Sequence, residues 1–193
     1  MTERTITIGG STRAVGVEGP DGAPGVLVLA SAPATGVVPD MATITARLVN
    51  SGMQAFVLEQ LDGLGHDEVV AILDQVGLHW VSIVGIGDGA ALAWQTAARH
   101  FERTTSLVVL DHGHPAAADV QGDIADAGCP AVEVATTLVL ATGEHRSHAY
   151  ATGRHAYSDY RVVELPEGDE AAADGVALAT ALATEIILRS NPW

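Results

Sequence analysis

The chain has 193 residues, 48% of them hydrophobic, which is enough for one domain with a real core and too few for two. Its net charge of −15, with every cation a lone Arg and no Lys at all, excludes a nucleic-acid face and an anionic membrane surface as partners, because both need clustered cations. The single cysteine, Cys129, excludes an internal disulfide, a zinc ribbon and an iron–sulfur set, and fits a reducing, cytoplasmic setting.

The segment "MTERTITIGG" has no basic stretch followed by an apolar one, and no apolar run approaches the length that spans a bilayer, so neither a leader nor membrane insertion is expected. Two short runs, "TITIGG" and "RAVGVEG", follow each other without room for a helix and are expected to be antiparallel strands. The Gly/Pro segment "EGPDGAPG" then reads as a turn. Beyond it, "GVLVLAS", "AFVLE", "VSIVGIG", "SLVVLD", "TLVLATG" and "YRVVELP" mostly alternate with helix-length stretches at 40–52, 66–77, 89–101, 119–127, 147–157 and 170–189. Strands that are apolar on both faces with helices between them indicate a parallel sheet covered on both sides. In the last helix Val176, Ala179, Ala183, Ile186 and Ile187 share one face. The expectation is one domain over 1–193, an α/β fold of about eight strands. The two dozen residues between "SLVVLD" and "TLVLATG" leave no room for a cap domain.

The stretch "VSIVGIGDGAALAW" at 81–94 carries the most specific pattern: a strand, a glycine turn and a small-residue helix. With its flanks it resembles the nucleophile elbow of the α/β-hydrolase fold, and the strand order makes nearly the whole chain similar to a minimal member of that superfamily. In this resemblance the pattern small-x-nucleophile-x-small-small falls on Gly85 to Ala90, with Gly87 at the nucleophile position. Small residues at Gly85, Gly89 and Ala90 have a steric reason, since the turn brings strand and helix backbones together. "GVLVLASAPATG" resembles the strand and turn that read His-Gly-x-Pro, with Ala30 and Ser31 at the His-Gly positions and Pro33 retained. Arg146 stands at the acid position of Gly-x-x-Asp, and Asp169 or Glu170 at the loop that carries the catalytic His. A Gly at the nucleophile position is also similar to the N-myc downstream-regulated family, whose elbow reads Gly-x-Gly-x-Gly-Ala and which is regarded as non-enzymatic. Without nucleophile and base, only about 10³-fold from binding and oxyanion donors would remain.

The same residues also bear on other chemistries. Gly85-x-Gly87-x-x-Ala90 with Asp111 about twenty residues on has dinucleotide spacing, but that fingerprint usually sits on the first strand of its domain and several strands precede this one, so NAD is not expected. Asp88 as a dehalogenase-like nucleophile would put Ile86 where a small residue is required; its plainer role is a carboxylate at a helix amino end. Asp111, in "LDHGHP", resembles the acid that some lipases place after this strand, and is otherwise a strand-end turn residue. His66, His112, His114, His145 and His148 all follow strand carboxyl ends, the side on which open α/β sheets bind ligands. His112-x-His114 has ligand spacing for zinc or iron, with His145 or His148 as a third donor; the plainer reading is solvated or strand-capping histidines, and no resident metal is expected. His148 and His155 would share a helix face near Tyr150 and Tyr157, Trp80 and Trp94 read as core, and Cys129 reads as a loop thiol.

The sequence therefore predicts a lidless hydrolase-like protein without a working triad, serving in ligand binding or as an interaction or assembly subunit. Its crevice is expected between Ala30, Ser31, Ala32 and the chain to Ala34, Gly87, Asp88, Gly89, and the loops carrying His112 and His145. A missing side chain at 87 should enlarge that crevice and leave backbone donors aimed into it, suited to a small acyl or carboxylate ligand. Self-association or a protein partner is expected where a lid would otherwise cover apolar surface. The alternative is a hydrolase with a non-standard, metal-assisted site near Asp88, Asp111, His112 and His114.

Overall fold

The computed structural model describes residues 1–32, 37–141, 145–165 and 174–190. One eight-stranded sheet organises them: β1 (Thr2–Ile8), β2 (Ser11–Glu18), β3 (Gly25–Ala30), β4 (Gln54–Leu58), β5 (Val81–Ile86), β6 (Thr104–Leu110), β7 (Ala135–Leu140) and β8 (Tyr160–Glu164). Their spatial order is β1-β2-β4-β3-β5-β6-β7-β8. The pairs β1–β2 and β2–β4 are antiparallel and the others are parallel. All eight expected strands form. The central ones, β3, β4 and β5, are buried at every residue, which is why they read as unbroken apolar runs rather than alternating ones.

Five helices flank the sheet: α1 (Met41–Asn50), α2 (His66–Val76), α3 (Gly89–Arg99), α4 (Arg146–Thr152) and α5 (Gly175–Ser190). On one face α2 and α3 pack with Leu27, Leu29, Phe56, Ile83 and Leu107 of the sheet. On the other, α1 and α5 pack against each other and over Val26, Val28, Val84, Val108 and Val139. Leu178, Ala179, Leu182, Ala183 and Ile186 of α5 are buried, whereas Val176, placed on the same face from sequence, is half exposed near the helix start.

Three local expectations are corrected. Residues 119–127 form turns, not a helix: the Asp119 carboxylate accepts the N–H groups of Gln121 and Asp123 at 2.8 Å each, and Gly122 has φ +91°. Such side-chain turns offer the backbone a competing set of hydrogen bonds. The 147–157 helix ends at Thr152 and continues as a 3-10 turn over Gly153–His155, so His155 leaves the helix face it was to share with His148. Trp80 is 69% exposed because it precedes β5 in the α2–β5 connection, outside the sheet, while Trp94 on α3 is fully buried and donates to the His112 carbonyl at 2.9 Å. Between β6 and β7 no cap domain forms, and among the described residues no helix is long and apolar enough to cross a membrane.

Candidate functional site

The elbow is built by three glycines with separate steric duties. A Cβ on Gly85 would lie 2.7 Å from both Ala90 Cα and Ala93 Cβ, so Gly85 lets α3 cross close to β5. A Cβ on Gly89 would lie 2.0 Å from the Leu29 carbonyl oxygen, so Gly89 lets the helix start against β3. Gly87 takes φ +59°, the left-handed conformation in which the elbow reverses the chain. The architecture follows the pattern read from sequence.

A residue on the neighbouring strand end packs against the elbow. A Cβ on Gly87 would lie 2.6 Å from both the carbonyl oxygen and the Oγ of Ser31. The Ser31 N–H donates to the Ile86 carbonyl at 3.1 Å, which fixes this approach. In turn the Ser31 Oγ accepts the Asp88 N–H at 2.8 Å. The space above Gly87 is therefore filled, and the backbone donor next to it is already used. The expectation of a crevice enlarged above Gly87 with backbone donors aimed into it is corrected: Ser31 fills the space at Gly87 and takes the Asp88 N–H. Among the described residues no histidine nitrogen hydrogen-bonds the Ser31 Oγ. The Asp88 side chain is exposed and makes no capping bond.

Asp111 and Arg146, expected near the acid position, make these contacts. Asp111 has φ +58°, and its Oδ1 accepts the Ala141 N–H at 2.8 Å, tying the ends of β6 and β7 together. Arg146 forms two-pronged contacts with Glu164 at 2.6 to 3.0 Å, and this hydrogen bonding lowers the Glu164 pKa. The positions expected at Asp169, Glu170, Pro33 and Ala34 lie outside the described residues, as does Trp193.

The expected crevice divides in two. One cavity of about 280 Å³ is lined by Ala30, Ser31, Ala32, Val38, Met41 and Glu59. A second, of about 370 Å³, lies beside α3 and α4 and is lined by His112, His145 and His148 together with Ala117, Val120 and Ile124. His112 and His145 stack with ring centroids 6.3 Å apart and planes 18° from parallel. The His148 Nε2 is buried without a hydrogen-bond partner, a Gly113 Cβ would lie 2.6 Å from its ring, and burial lowers its pKa.

His114 lines the same cavity but is fully buried, with both ring nitrogens committed. Nε2 lies 2.8 Å from the Pro130 carbonyl, which can only accept, so Nε2 carries the proton; Nδ1 accepts the Ala116 N–H at 3.1 Å. The ring stacks on His155 at 4.8 Å and meets Trp94 edge-on at 5.3 Å. Burial pushes its pKa down to about 4. A histidine so engaged has no lone pair for a metal. Among the described residues His112, His114, His145 and His148 do not converge into a ligand set; the group that does is His66, Asp67 and His100. Cys129 is buried against Arg99, and burial raises its pKa, which opposes nucleophile chemistry.

No protein-family model matches the sequence, and no curated protein matches it. The three-dimensional likenesses are extensive. A haloalkane dehalogenase loop variant from Bradyrhizobium elkanii superposes with a TM-score of 0.70 at 13% identity, covering 97% of each chain. A dienelactone hydrolase from Anabaena variabilis gives 0.71 at 17% identity, covering 97% of this chain and 95% of its own. A hydrolase from Pseudomonas aeruginosa gives 0.72 at 13% identity, covering 98% of each. The chain has the α/β-hydrolase fold. Within that fold Gly87 stands at the elbow, Ser31 at the turn after β3 and Arg146 after β7, as the sequence pattern placed them. Sequence reasoning missed the use of Ser31 as a plug and the meeting of His66 with His100. A hydroxyl at a position where the motif has glycine was the available signal for the first.

Proposed function

We propose that this α/β-hydrolase-fold chain is catalytically silent and binds a small carboxylate or acyl ligand without turning it over. The carrying observation is the contact of Ser31 with the elbow: it fills the space above Gly87 and takes the Asp88 N–H that an oxyanion would need. The ligand site is the 370 Å³ cavity, whose wall combines apolar Ala117, Val120 and Ile124 with the imidazoles of His112, His145 and His148 and the carboxylates of Asp111, Asp119 and Asp123. An apolar pocket with a few convergent polar groups suits a short acyl chain ending in a carboxylate. The stacked His112 and His145 rings on the wall of this cavity support the reading, since their nitrogens are the groups an anion would meet.

Titration of the protein with the straight-chain acids from acetate to octanoate, followed by histidine NMR resonances, tests the reading. Saturable shifts of the His112 and His145 resonances are expected, those of His145 being lost in His112→Ala. Absence of saturable binding, or consumption of the corresponding esters by the protein, would overturn it. An assembly role is the second form of the same reading, favoured by the exposed Val120 and Ile124 at that cavity. Native mass spectrometry of the untagged chain tests it by reporting oligomers or their absence.

A further inference from the structure

A group of three ligating side chains converges away from the elbow. His66 opens α2, Asp67 follows it, and His100 is the residue on which α3 ends. His66 Nδ1 lies 3.0 Å from His100 Nε2, and Asp67 Oδ1 lies 3.2 Å from the first and 3.1 Å from the second. Protons satisfy such a triangle poorly. If one nitrogen donates to the other, the acceptor's lone pair also faces the carboxylate oxygen; if both donate to the carboxylate, two N–H hydrogens crowd across the same 3.0 Å edge.

We propose that His66, Asp67 and His100 hold one divalent transition-metal ion of the zinc class. Zn²⁺ binds imidazole nitrogen and carboxylate oxygen at about 2.0–2.2 Å. An ion at that distance from all three atoms stands about 1 Å out of their plane, so the edges already match a bound ion. Two histidines and one carboxylate leave the remaining positions open to water. Glu102 Oε1 lies 3.7 Å from His100 Nδ1, too far for a hydrogen bond but adding negative charge on the ring edge opposite the ion. Glu68, next to Asp67, is occupied by the Gly65 N–H at 2.9 Å and does not compete.

The surroundings favour a cation. The carboxyl end of α3 is the negative end of its dipole, and Asp67 and Glu68 offset the positive end of α2. The Asp67 side chain is 76% exposed, which gives the ion a path in. The site is separate from the elbow, because His100 lies at the far end of α3 from Gly89, about 16 Å along the helix.

Untagged full-length protein stripped with EDTA and titrated with Zn²⁺ by calorimetry, and with Co²⁺ by visible absorption, tests the site. The expected result is one ion per chain with micromolar or tighter affinity, and a Co²⁺ spectrum displaced by Zn²⁺. His66→Ala, His100→Ala and Asp67→Asn should each weaken binding at least tenfold, while His112→Ala and His148→Ala should not. Because the ion joins α2 to α3, Zn²⁺ should raise the melting temperature of the natural protein and not that of His100→Ala. Far-UV circular dichroism confirms folding, and the exposed Asp67→Asn substitution reads the site independently if a histidine variant fails to fold. The proposal is overturned by lack of saturable uptake, or by uptake that survives His66→Ala combined with His100→Ala.

Discussion

The Ser31 Oγ accepts the Asp88 N–H at 2.8 Å and lies 2.6 Å from where a Cβ on Gly87 would begin. One hydroxyl thus blocks the nucleophile's place and occupies the neighbouring donor. The closure depends on the backbone too, because the Ser31 carbonyl oxygen lies at the same 2.6 Å.

Restoring a serine at the elbow should therefore fail. Gly87→Ser meets both the Ser31 contacts and a φ of +59°, and the expected cost is about 1–3 kcal/mol of stability. Denaturant unfolding should show that loss, with no gain in ester hydrolysis. Hydrolysis appearing on this single change would mean that the rest of a triad is in place.

Ser31→Ala frees the Asp88 N–H without removing any packing glycine. The lost hydrogen bond should cost about 0.5–1.5 kcal/mol, and the Asp88 amide proton should exchange faster with solvent. Unchanged exchange at Asp88 would show that the hydroxyl does not protect it.

Gly89→Ala places a Cβ 2.0 Å from the Leu29 carbonyl oxygen, backbone that cannot swing aside. Insoluble or unfolded protein is expected, while Gly128→Ala, whose nearest neighbour is a carboxylate oxygen at 3.4 Å, should express and melt like the natural chain. Equal melting temperatures for the two variants would argue against the close β3–α3 approach.

Acid should destabilise the fold through His114. Its pKa falls from 6.5 to about 4 on burial, with His155 and Arg99 opposing its charge and Asp126 favouring it. The unfolded chain therefore binds a proton that the folded chain refuses. The stabilisation is complete above pH 6.5 and is lost as pH falls from there to about 4, amounting to roughly 3 kcal/mol. Unfolding free energies measured across this range should decline, and His114→Gln should flatten that part of the profile. Its cost at neutral pH is that of disturbing the bonds to Pro130 and Ala116.

The sheet was legible because doubly buried strands such as β3 and β5 read as unbroken apolar runs, and the elbow because Gly85 and Gly89 answer a steric demand that sequence spacing carries. Local turn chemistry around Asp119 and Gly122 overrode the apolar pattern of 119–127. Trp80 was misread because size and hydrophobicity do not tell which side of a strand boundary a residue occupies. The Ser31–Asp88 bond spans 57 residues and the His66–His100 contact spans 34, and both arise only when β3, β5, α2 and α3 are assembled.

The central claim is that the elbow is catalytically silent. The direct measurement is hydrolysis of short-chain p-nitrophenyl esters by the purified protein, with intact mass recorded after exposure to a fluorophosphonate. A rate equal to that of the protein-free buffer and an unmodified mass are expected. Turnover above that background which disappears in Asp88→Asn or Asp111→Asn, or a fluorophosphonate adduct on Ser31, would contradict it.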